Sequence, residues 1–268
     1  MSAFDRLKSR QNELGILAKK SLGQNFLVSD NVIEKILLAA AEYKAELVVE
    51  IGPGCGALTD ILIDQYKNLK LIELDRNLFE FWKSKNCNII NADALQIDWS
   101  VYTDHLLVSN LPYQISSSLV IDRSLDENPL MGMVLMFQKE VAQRIRATEQ
   151  SEHYGMLTVI AQEFWKIQTV CDAGPRDFNP PPKVASRVLS FRPKVSSVSN
   201  RTEYLHFVKC AFKQRRRILK TNLAALDQKY NLDLLVDWLN LNKESEKVRA
   251  EELSVIQLNS LYHHLRVK

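Results

Sequence analysis

Between residues 46 and 148, short apolar segments alternate with segments of helical periodicity. The apolar segments are rich in Val, Ile and Leu, and they cover 46–52, 69–75, 87–93, 105–110 and 132–138. A strand that is buried on both faces of a parallel sheet forms a nearly continuous apolar run, and parallel neighbours are joined by helical crossovers. The alternation therefore predicts an α/β fold, in which helices cover both faces of a doubly wound sheet.

The segments that flank this alternation differ in character. Residues 1–23 form a polar, basic arm, and residues 29–43 have the apolar spacing of an amphipathic helix. Residues 164–174 and 184–193 are strand-like and enclose the proline-rich stretch "PRDFNPPPK". Two such strands joined by a loop predict an antiparallel edge of the sheet.

Beyond the last of these strands the sequence loses its strand character. Residues 194–200 ("KVSSVSN") are typical of a linker, and the pattern from residue 201 to the end is helical. We therefore predict an α/β domain over residues 1–198 and a small all-helical domain over residues 199–268.

Charge is distributed unevenly along the chain, although the net charge is only +3. Residues 201–268 carry 13 Lys and Arg against 8 Asp and Glu, whereas residues 31–200 carry 17 against 21. A basic region attracts polyanions even in a nearly neutral protein, because the local field governs counterion release. Composition alone favours ordinary surface charge.

Membrane-protein and metalloprotein classes find no support in the sequence. No apolar run approaches the roughly 18–20 residues of a membrane-spanning helix, and the polar start "MSAFDRLKSRQNELG" has no signal-peptide core. The four cysteines lack the C-x-x-C or Cys/His spacing of zinc ligands. We expect a cytoplasmic monomer with reduced thiols and without a metal ion.

The stretch "EIGPGCG" (50–56) lies between the first strand and the helix that follows it. Gly52, Gly54 and Gly56 allow a tight turn and a close approach of a ligand to the backbone, and the helix N-terminus behind them presents N–H groups. Glu73 ends the second strand, 21 positions after Gly52, where an acidic side chain suits a ribose diol. Both NAD and S-adenosylmethionine fit this arrangement.

Three details favour S-adenosylmethionine. Glu50 precedes the glycines, where it meets an amino-acid ammonium or orders the loop. The glycine spacing is G-x-G-x-G, and pyrophosphate binding expects G-x-G-x-x-G. Asp93 ends the third strand, placed to accept from an adenine amino group. A lone glycine-rich loop is often only a structural turn, but here the acids follow at successive strand ends, where such sheets bind ligands.

The stretch "NLPY" (110–113) ends the fourth strand on the same edge of the sheet. An exocyclic amino group of a base is a poor nucleophile, because its lone pair is delocalised into the ring. Two acceptors on its N–H bonds localise that lone pair: the side-chain oxygen of Asn110 and a backbone carbonyl at Leu111 or Pro112. Pro112 restricts the backbone there, and Tyr113 offers a stacking surface for a flipped base.

With these motifs the chain resembles the ribosomal RNA adenine N6-dimethyltransferases, and most of all their bacterial branch that acts on 16S rRNA. The resemblance covers residues 18–193. Its pieces are "KSLGQNFL" (20–27), "EIGPGCGALT" (50–59), "IELD" (72–75), "NADAL" (91–95), "NLPYQIS" (110–116), "QKEVAQRI" (138–145), "YGMLTV" (154–159) and "FNPPPKVASRV" (178–188). The first and last of these pieces are specific to the family, whereas G-x-G-x-G is not.

The resemblance implies a Rossmann-like S-adenosylmethionine-dependent methyltransferase domain followed by a small helical domain. It implies that two adjacent adenosines near the 3′ end of 16S rRNA each receive two methyl groups, in the immature 30S subunit and as a late step of its assembly. By position, the cofactor ligands implied are Asn25, Leu27, Gly52, Gly54, Glu73, Asp93 and Asn110. The catalytic residues implied are Asn110, Leu111, Pro112 and Tyr113.

The resemblance implies one further aromatic residue at the target base and leaves one departure unexplained. Phe178 corresponds to the second aromatic of the family, opposite Tyr113, although a structural plug under the proline-rich loop is the alternative. Gln114 stands where the family commonly has Asn. The change from Asn to Gln retains a side-chain amide.

The run "FKQRRRILK" (212–220) predicts a basic helix with Phe212, Ile218 and Leu219 turned inward. The family resemblance implies contact with the rRNA backbone, which positions the enzyme without reading bases. The residues concerned are Lys213, Arg215, Arg216, Arg217 and Lys220. A solvated helix face is the alternative, and Lys19, Lys20, Arg144 and Arg146 are weaker candidates of the same kind.

Three other functions remain open on the sequence. A related enzyme that methylates an adenine of 23S rRNA is one, although the "FNPPPKV" loop and the tail favour 16S rRNA. A binding protein that has lost catalysis is the second, and an NAD oxidoreductase is the third. Intact "NLPY" and the strand-end acids disfavour the binding protein. The NAD oxidoreductase predicts nicotinamide binding and no affinity for S-adenosylmethionine, which titration with each cofactor decides.

Overall fold

The computed structural model of the protein describes residues 1–15, 25–226 and 229–266. The chain forms two compact units. The first comprises Met1–Ala142 and Lys166–Pro193, and the second comprises Gln143–Trp165 and Lys194–Lys268.

A mixed sheet forms the centre of the first unit. The strands are β1 (Phe26–Leu27), β2 (Leu47–Ile51), β3 (Asn68–Glu73), β4 (Ile89–Asn91), β5 (His105–Asn110), β6 (Gly132–Gln138), β7 (Trp165–Ala173), β8 (Phe178–Asn179) and β9 (Ser186–Pro193). Seven of them form one sheet in the order β4-β3-β2-β5-β6-β9-β7, and β1 pairs with β8 separately. Parallel pairing joins β4, β3, β2, β5 and β6, and β9 runs antiparallel to β6. The predicted α/β class and the antiparallel element at one side of the sheet are confirmed.

The apolar runs explain why the sheet has helices around it. Leu106, Leu107 and Val108 in β5 are fully buried, and so are Met133 to Phe137 in β6. Such strands need cover on both faces. The helices of this unit are α1 (Ala3–Leu14), α2 (Asp30–Ala41), α3 (Thr59–Gln65), α4 (Arg76–Ser84) and α5 (Ser116–Leu125), and α6 (Lys139–Ile145) begins in it and ends in the second unit.

Helix α1 lies within the arm for which the sequence predicted only polar, basic character. Ser2 caps it, since its hydroxyl accepts from the Asp5 N–H and the Asp5 carboxylate accepts from the Ser2 N–H. Ala3 and Leu7, four positions apart, are both 3% exposed. The apolar side of the helix is therefore narrow, which is why its periodicity is weak in the sequence.

The second unit is helical. Its helices are α7 (Met156–Phe164), α8 (Arg201–Ala211), α9 (Leu219–Leu223), α10 (Leu234–Leu241) and α11 (Val255–Leu265). Tyr204, Phe207 and Tyr262 form an aromatic cluster with ring centroids 5.1–6.3 Å apart. Among the described residues, no helix combines the length and apolarity needed to cross a membrane.

The second unit also includes residues 143–165, which the sequence had placed with the α/β domain. Helix α7 packs on α8 and α11, where the Phe164 and Tyr204 rings meet edge to face at 6.1 Å. The stretch 194–200, predicted as a linker, is held by specific bonds. The Ser196 hydroxyl donates to the Glu163 carboxylate (2.6 Å), and Asn200 caps α8.

Candidate active site

The glycine-rich loop follows β2 and leads into α3. Gly52 and Gly54 have φ angles of 66° and 53°, which a residue with a Cβ adopts only at a cost. A Cβ at Gly54 would also lie 3.2 Å from the Phe26 ring. The Gly52 N–H donates to the Ile72 carbonyl at 2.8 Å, which fixes the start of the loop against β3.

Glu73 ends β3 beside this loop and is 7% exposed. One carboxylate oxygen accepts from the Asp75 N–H at 2.9 Å, and the other accepts from the Gly54 N–H at 3.3 Å. Burial raises the pKa of Glu73, while these two hydrogen bonds act in the opposite direction. A carboxylate has about four acceptor positions, so Glu73 retains capacity for a further donor.

Asp93 follows β4 on the same edge of the sheet and is half-buried. Its Oδ1 accepts from the Leu95 N–H at 2.9 Å, which orients the carboxylate. The Asn91 side chain donates to the Glu73 carbonyl at 2.8 Å and so ties the ends of β3 and β4 together. The two acids that the sequence singled out therefore flank one edge.

Glu50 lies at the end of β2 and is 2% exposed. It accepts from the Thr59 hydroxyl at 2.7 Å, which links β2 to the first turn of α3. Burial raises the pKa of Glu50 to about 8, and the bond from Thr59 opposes that shift. The sequence allowed two roles for Glu50, which were binding an amino-acid ammonium and ordering the loop. The contact with Thr59 corresponds to the second.

Asn110 ends β5, which the buried Ser109 hydroxyl ties to the Ile51 carbonyl at 2.6 Å. The Asn110 side-chain NH2 donates to the Asn25 carbonyl at 3.3 Å. This bond assigns the NH2 group to the Asn25 side, so that the Oδ1 atom of Asn110 is the part of the amide able to accept a hydrogen bond.

The residues after Asn110 form a turn whose groups are already oriented. The Pro112 carbonyl accepts from the Ile115 N–H at 3.2 Å, so of the two carbonyls considered, that of Leu111 is favoured as an acceptor for a ligand. The Tyr113 hydroxyl shares a hydrogen bond of 2.8 Å with Ser186, which is fully buried at the start of β9. Sequence reasoning missed Ser186, although its motif "KVASRV" contained it.

One cavity brings most of the predicted site residues together. Its volume is about 290 Å³, near the lower end of the usual range for small-molecule sites. Of the predicted residues, it is lined by Asn25, Gly52, Gly54, Glu73, Asp93, Asn110, Leu111, Pro112 and Tyr113. Gln114 also lines it and is exposed.

Two predicted site residues, Leu27 and Phe178, do not line this cavity. They are paired across β1 and β8, are 1% and 3% exposed, and belong to the hydrophobic core of the unit. In this structure Phe178 is thus a buried core residue, as the plug alternative describes. Leu27 does line a second cavity of about 30 Å³ beside Glu50 and the glycine-rich loop.

The prediction of a helix over the basic run 212–220 is wrong for most of its length. Residues 212–217 form turns and bends between α8 and α9. Ile218 has an extended backbone and is 36% exposed rather than turned inward. The buried Asn222 side chain donates to the carbonyls of Ala211 and Gln214, which ends α8.

The five basic residues of this run are all exposed, but they are not equivalent. Arg215 binds the Glu251 carboxylate and the carbonyls of Ser151 and Glu152. Arg216 and Arg217 lie in the same turn, and Lys213 and Lys220 flank it. Arg144 and Arg146 are exposed in the same unit, whereas Lys19 and Lys20 lie outside the described residues.

No group of His, Cys, Asp or Glu suited to a metal ion occurs within the ranges that the structure describes. Cys55 in the glycine-rich loop is buried, which raises the pKa of its thiol to about 12. A thiol in this state is a poor nucleophile.

Five parallel strands of a mixed sheet, with a glycine-rich loop, acids at successive strand ends and the NLPY turn around one cavity, define a Rossmann-like methyltransferase. More specifically, residues 15–262 match the family model described as ribosomal RNA adenine dimethylase. The chain belongs to this family.

Individual relatives agree with that assignment. The chain is 55% identical to the ribosomal RNA small subunit methyltransferase A of Bdellovibrio bacteriovorus over 265 residues, 97% of each chain. A crystal structure of a dimethyladenosine transferase from Plasmodium falciparum has a TM-score of 0.72 and 25% identity, and the match covers 90% of this chain and 100% of that one. The 23S rRNA methyltransferase ErmE (TM-score 0.66, 24% identity, 90% and 99% covered) shares the fold.

Proposed function

We propose that this enzyme transfers methyl groups from S-adenosylmethionine to N6 of two adjacent adenosines near the 3′ end of 16S rRNA, and dimethylates both. The substrate is the small ribosomal subunit during its assembly, and the enzyme acts in the cytoplasm as a monomer. The 55% identical relative supports the choice of the small subunit by its name. The fold does not choose between the two rRNAs, since ErmE shares it.

The observation that carries the proposal is the single cavity that Glu73, Asp93 and the Asn110–Tyr113 turn line together. A cofactor site alone needs the glycine-rich loop and the acids. The turn adds an amide, an oriented carbonyl and an aromatic ring, which are the groups that an adenine amino group requires. The two sets of residues meet at the carboxyl ends of adjacent parallel strands.

The residues present fit S-adenosylmethionine. Its ribose diol needs a carboxylate with spare acceptor capacity, which Glu73 offers, and its adenine amino group needs an acceptor such as Asp93. Gly52 and Gly54 leave room for the backbone to approach the ligand. When bound, the cofactor supplies an electrophilic methyl group.

The chain's own contribution to the reaction is positioning. The Asn110 Oδ1 and the Leu111 carbonyl accept hydrogen bonds from the N–H groups of the target amino group. These bonds localise the lone pair on the nitrogen, so that it is no longer delocalised into the ring. The Tyr113 ring supports the flipped base, and Ser186 fixes the phenol. Methyl transfer leaves a positive charge on the attacking nitrogen, which makes its remaining N–H acidic, so that it releases this proton without a dedicated base. Preorganised dipoles of this kind contribute several kcal/mol to catalysis.

The remaining predicted residues have supporting parts in the proposal. Leu27 and Phe178 support the site from the core, through the β1–β8 pair that leads to Asn25. Lys213, Arg216, Arg217 and Lys220 contact the rRNA backbone from the exposed turn of the second unit.

Methyl transfer onto small subunits that lack these modifications tests the proposal. The product nucleoside is identified by mass spectrometry after digestion, and primer extension on 16S and 23S rRNA locates it. We expect dimethyladenosine at neighbouring positions of 16S rRNA. Modification of 23S rRNA alone, or a product other than N6-methylated adenosine, contradicts the proposal.

A further inference from the structure

Helix α1 packs directly on the glycine-rich loop. Leu7 forms a small apolar cluster with Phe26, Cys55 and Leu78, of which Phe26 and Leu78 also line the 290 Å³ cavity. The Ala3 N–H donates to the Asp30 carboxylate at 3.0 Å, which anchors the start of the helix on α2. The helix therefore adjoins the wall of the proposed cofactor site.

Arg10 connects this helix to the loop through polar contacts. Its Nη1 donates to the Cys55 carbonyl at 2.5 Å, and its two terminal nitrogens donate to the Asp60 carboxylate at 3.2 and 3.0 Å. The Arg10 side chain is 17% exposed and that of Asp60 is 20% exposed. A paired guanidinium with so little solvent exposure makes stronger contacts than one that is fully exposed to solvent.

The guanidinium of Arg10 also lies against two neighbouring aromatic rings of α4. Its Cζ is 5.0 Å from the centroid of Phe81 and 4.9 Å from that of Trp82. Trp82 in turn donates from its indole N–H to the Gly54 carbonyl at 3.0 Å. The carbonyls of Gly54 and Cys55, consecutive in the loop, are thus held by one cluster of side chains.

The opposite side of Gly54 belongs to the cavity. Its N–H donates to Glu73, and Gly54 lines the space where the cofactor is proposed to bind. Arg10 is not among the lining residues, so it acts on that space only through the loop. Space at this point is tight, because a Cβ at Gly56 would overlap the Arg10 Nη1 and lie 2.9 Å from Trp82.

We propose that Arg10 is a positioning residue of the S-adenosylmethionine site, which holds the glycine-rich loop in the conformation that receives the cofactor. The inference rests on the proposed function for the identity of the ligand. It assigns to the N-terminal helix a part in cofactor affinity, distinct from any contact with RNA.

Calorimetric titration with S-adenosylhomocysteine tests this in the full-length chain. We expect Arg10→Ala to weaken binding about tenfold, the loss expected when one charge-assisted contact no longer preorganises a site. Arg10→Lys keeps the charge but loses the paired bonds, so its loss should be smaller. Lys8→Ala is the matched control, since Lys8 is an exposed cation on the same helix beside Phe4.

Kinetics separate positioning from general destabilisation. A positioning role raises the KM for S-adenosylmethionine in Arg10→Ala and Arg10→Lys and leaves the KM for the small subunit unchanged. Loss of folded protein instead lowers the apparent kcat and leaves both KM values unchanged, which overturns the inference. Equal affinities of the wild type and both Arg10 variants overturn it too. A wild-type chain that binds no S-adenosylhomocysteine removes the proposed function itself, and this inference with it.

Discussion

Asn110 has one half of its amide committed within the protein. Its NH2 donates to the Asn25 carbonyl, and in the proposed mechanism its Oδ1 accepts from the target amino group. We predict that Asn110→Ala binds the small subunit normally but transfers methyl groups at least about a hundredfold more slowly, the scale of losing one preorganised polar contact. Single-turnover assays measure this. The control is Asn88→Ala, at an exposed amide just before β4. Near-normal turnover of Asn110→Ala would refute the assigned role.

Tyr113 and Ser186 form a hydrogen-bonded pair that couples the Asn110–Tyr113 turn to β9. We predict that Tyr113→Phe and Ser186→Ala each slow methyl transfer about fivefold to tenfold, because the ring loses its fixed orientation. The double variant should be no slower than either single variant, since both changes remove the same bond. Tyr43→Phe is the control, because it removes a buried tyrosine bond to the Phe191 carbonyl. Additive losses would show that the two residues act separately.

At the scale of elements, the junction between β2 and α3 contains a buried acid. Burial raises the pKa of Glu50 to about 8, whereas in an unfolded chain it has the ordinary value of 4.5. Between these values the folded state binds more protons than the unfolded state, so the free energy of unfolding falls as pH rises from about 4.5 to about 8.

Replacing Glu50 by Gln removes this pH dependence and keeps an acceptor for Thr59. We predict equal stability of the variant and the wild type near pH 4.5, and a more stable variant above pH 8, by of the order of 4 kcal/mol. Urea unfolding at both pH values measures the difference. Glu46→Gln, at an exposed position just before β2, should change neither value. The same pH dependence in Glu50→Gln as in the wild type would contradict the assignment.

The basic turn between α8 and α9 contains arginines whose surroundings differ, which its sequence does not distinguish. Arg215 binds Glu251 and the 151–152 carbonyls, and we predict that Arg215→Ala mainly lowers the melting temperature.

Arg216→Ala with Arg217→Ala should weaken subunit binding and lower its salt dependence, because fewer counterions are released. Filter binding at several salt concentrations, together with thermal unfolding, separates these effects. An unchanged salt slope would exclude this turn from the RNA site.

At the scale of the whole molecule, the second unit is built from two separate stretches of chain. Helix α7 precedes β7 and β9 in sequence, yet its Glu163 accepts from Asn259 of α11 at 2.7 Å, and the Tyr154 hydroxyl donates to the Leu253 carbonyl. A chain that ends at residue 198 would therefore expose the apolar side of α7. We predict that such a chain binds a hydrophobic dye and aggregates, whereas the full chain does neither. A cooperative, dye-free unfolding transition of the shortened chain would contradict this.

Much of the α/β sheet could be predicted from the sequence, because its signals are local. The runs 105–110 and 132–138 match β5 and β6 residue for residue, since a doubly buried strand has few alternatives. Helix α7 and the pairing of α1 with the loop escaped prediction, because contacts distant in sequence stabilise them. The basic run was misassigned for a related reason. Its helical pattern is overridden where the Asn222 side chain donates to the carbonyl of Ala211, the last residue of α8, and to that of Gln214 in the turn that follows.

The candidate site divides in the same way. Glu73 and Asn110 end their strands and Asp93 lies two residues after β4, so the parallel order of the strands brings them to one edge. Ser186 and Phe178 depend on how β9 and β8 pair, which no local pattern indicates. The sequence could not decide whether Phe178 lies at a base or in the core, because the burial of its side chain depends on the folded conformation of the proline-rich loop.

Trp82 is an intrinsic fluorescence probe of the glycine-rich loop. Its indole N–H donates to Gly54, and its ring lies beside the Arg10 guanidinium. Indole emission shifts with nearby charge and hydrogen bonding, so a change in the loop alters the light that this residue emits. Comparison with Trp82→Phe isolates that signal from the other three tryptophans. Occupancy of the site can then be followed in real time by stopped-flow fluorescence, without a label on the cofactor or on the RNA.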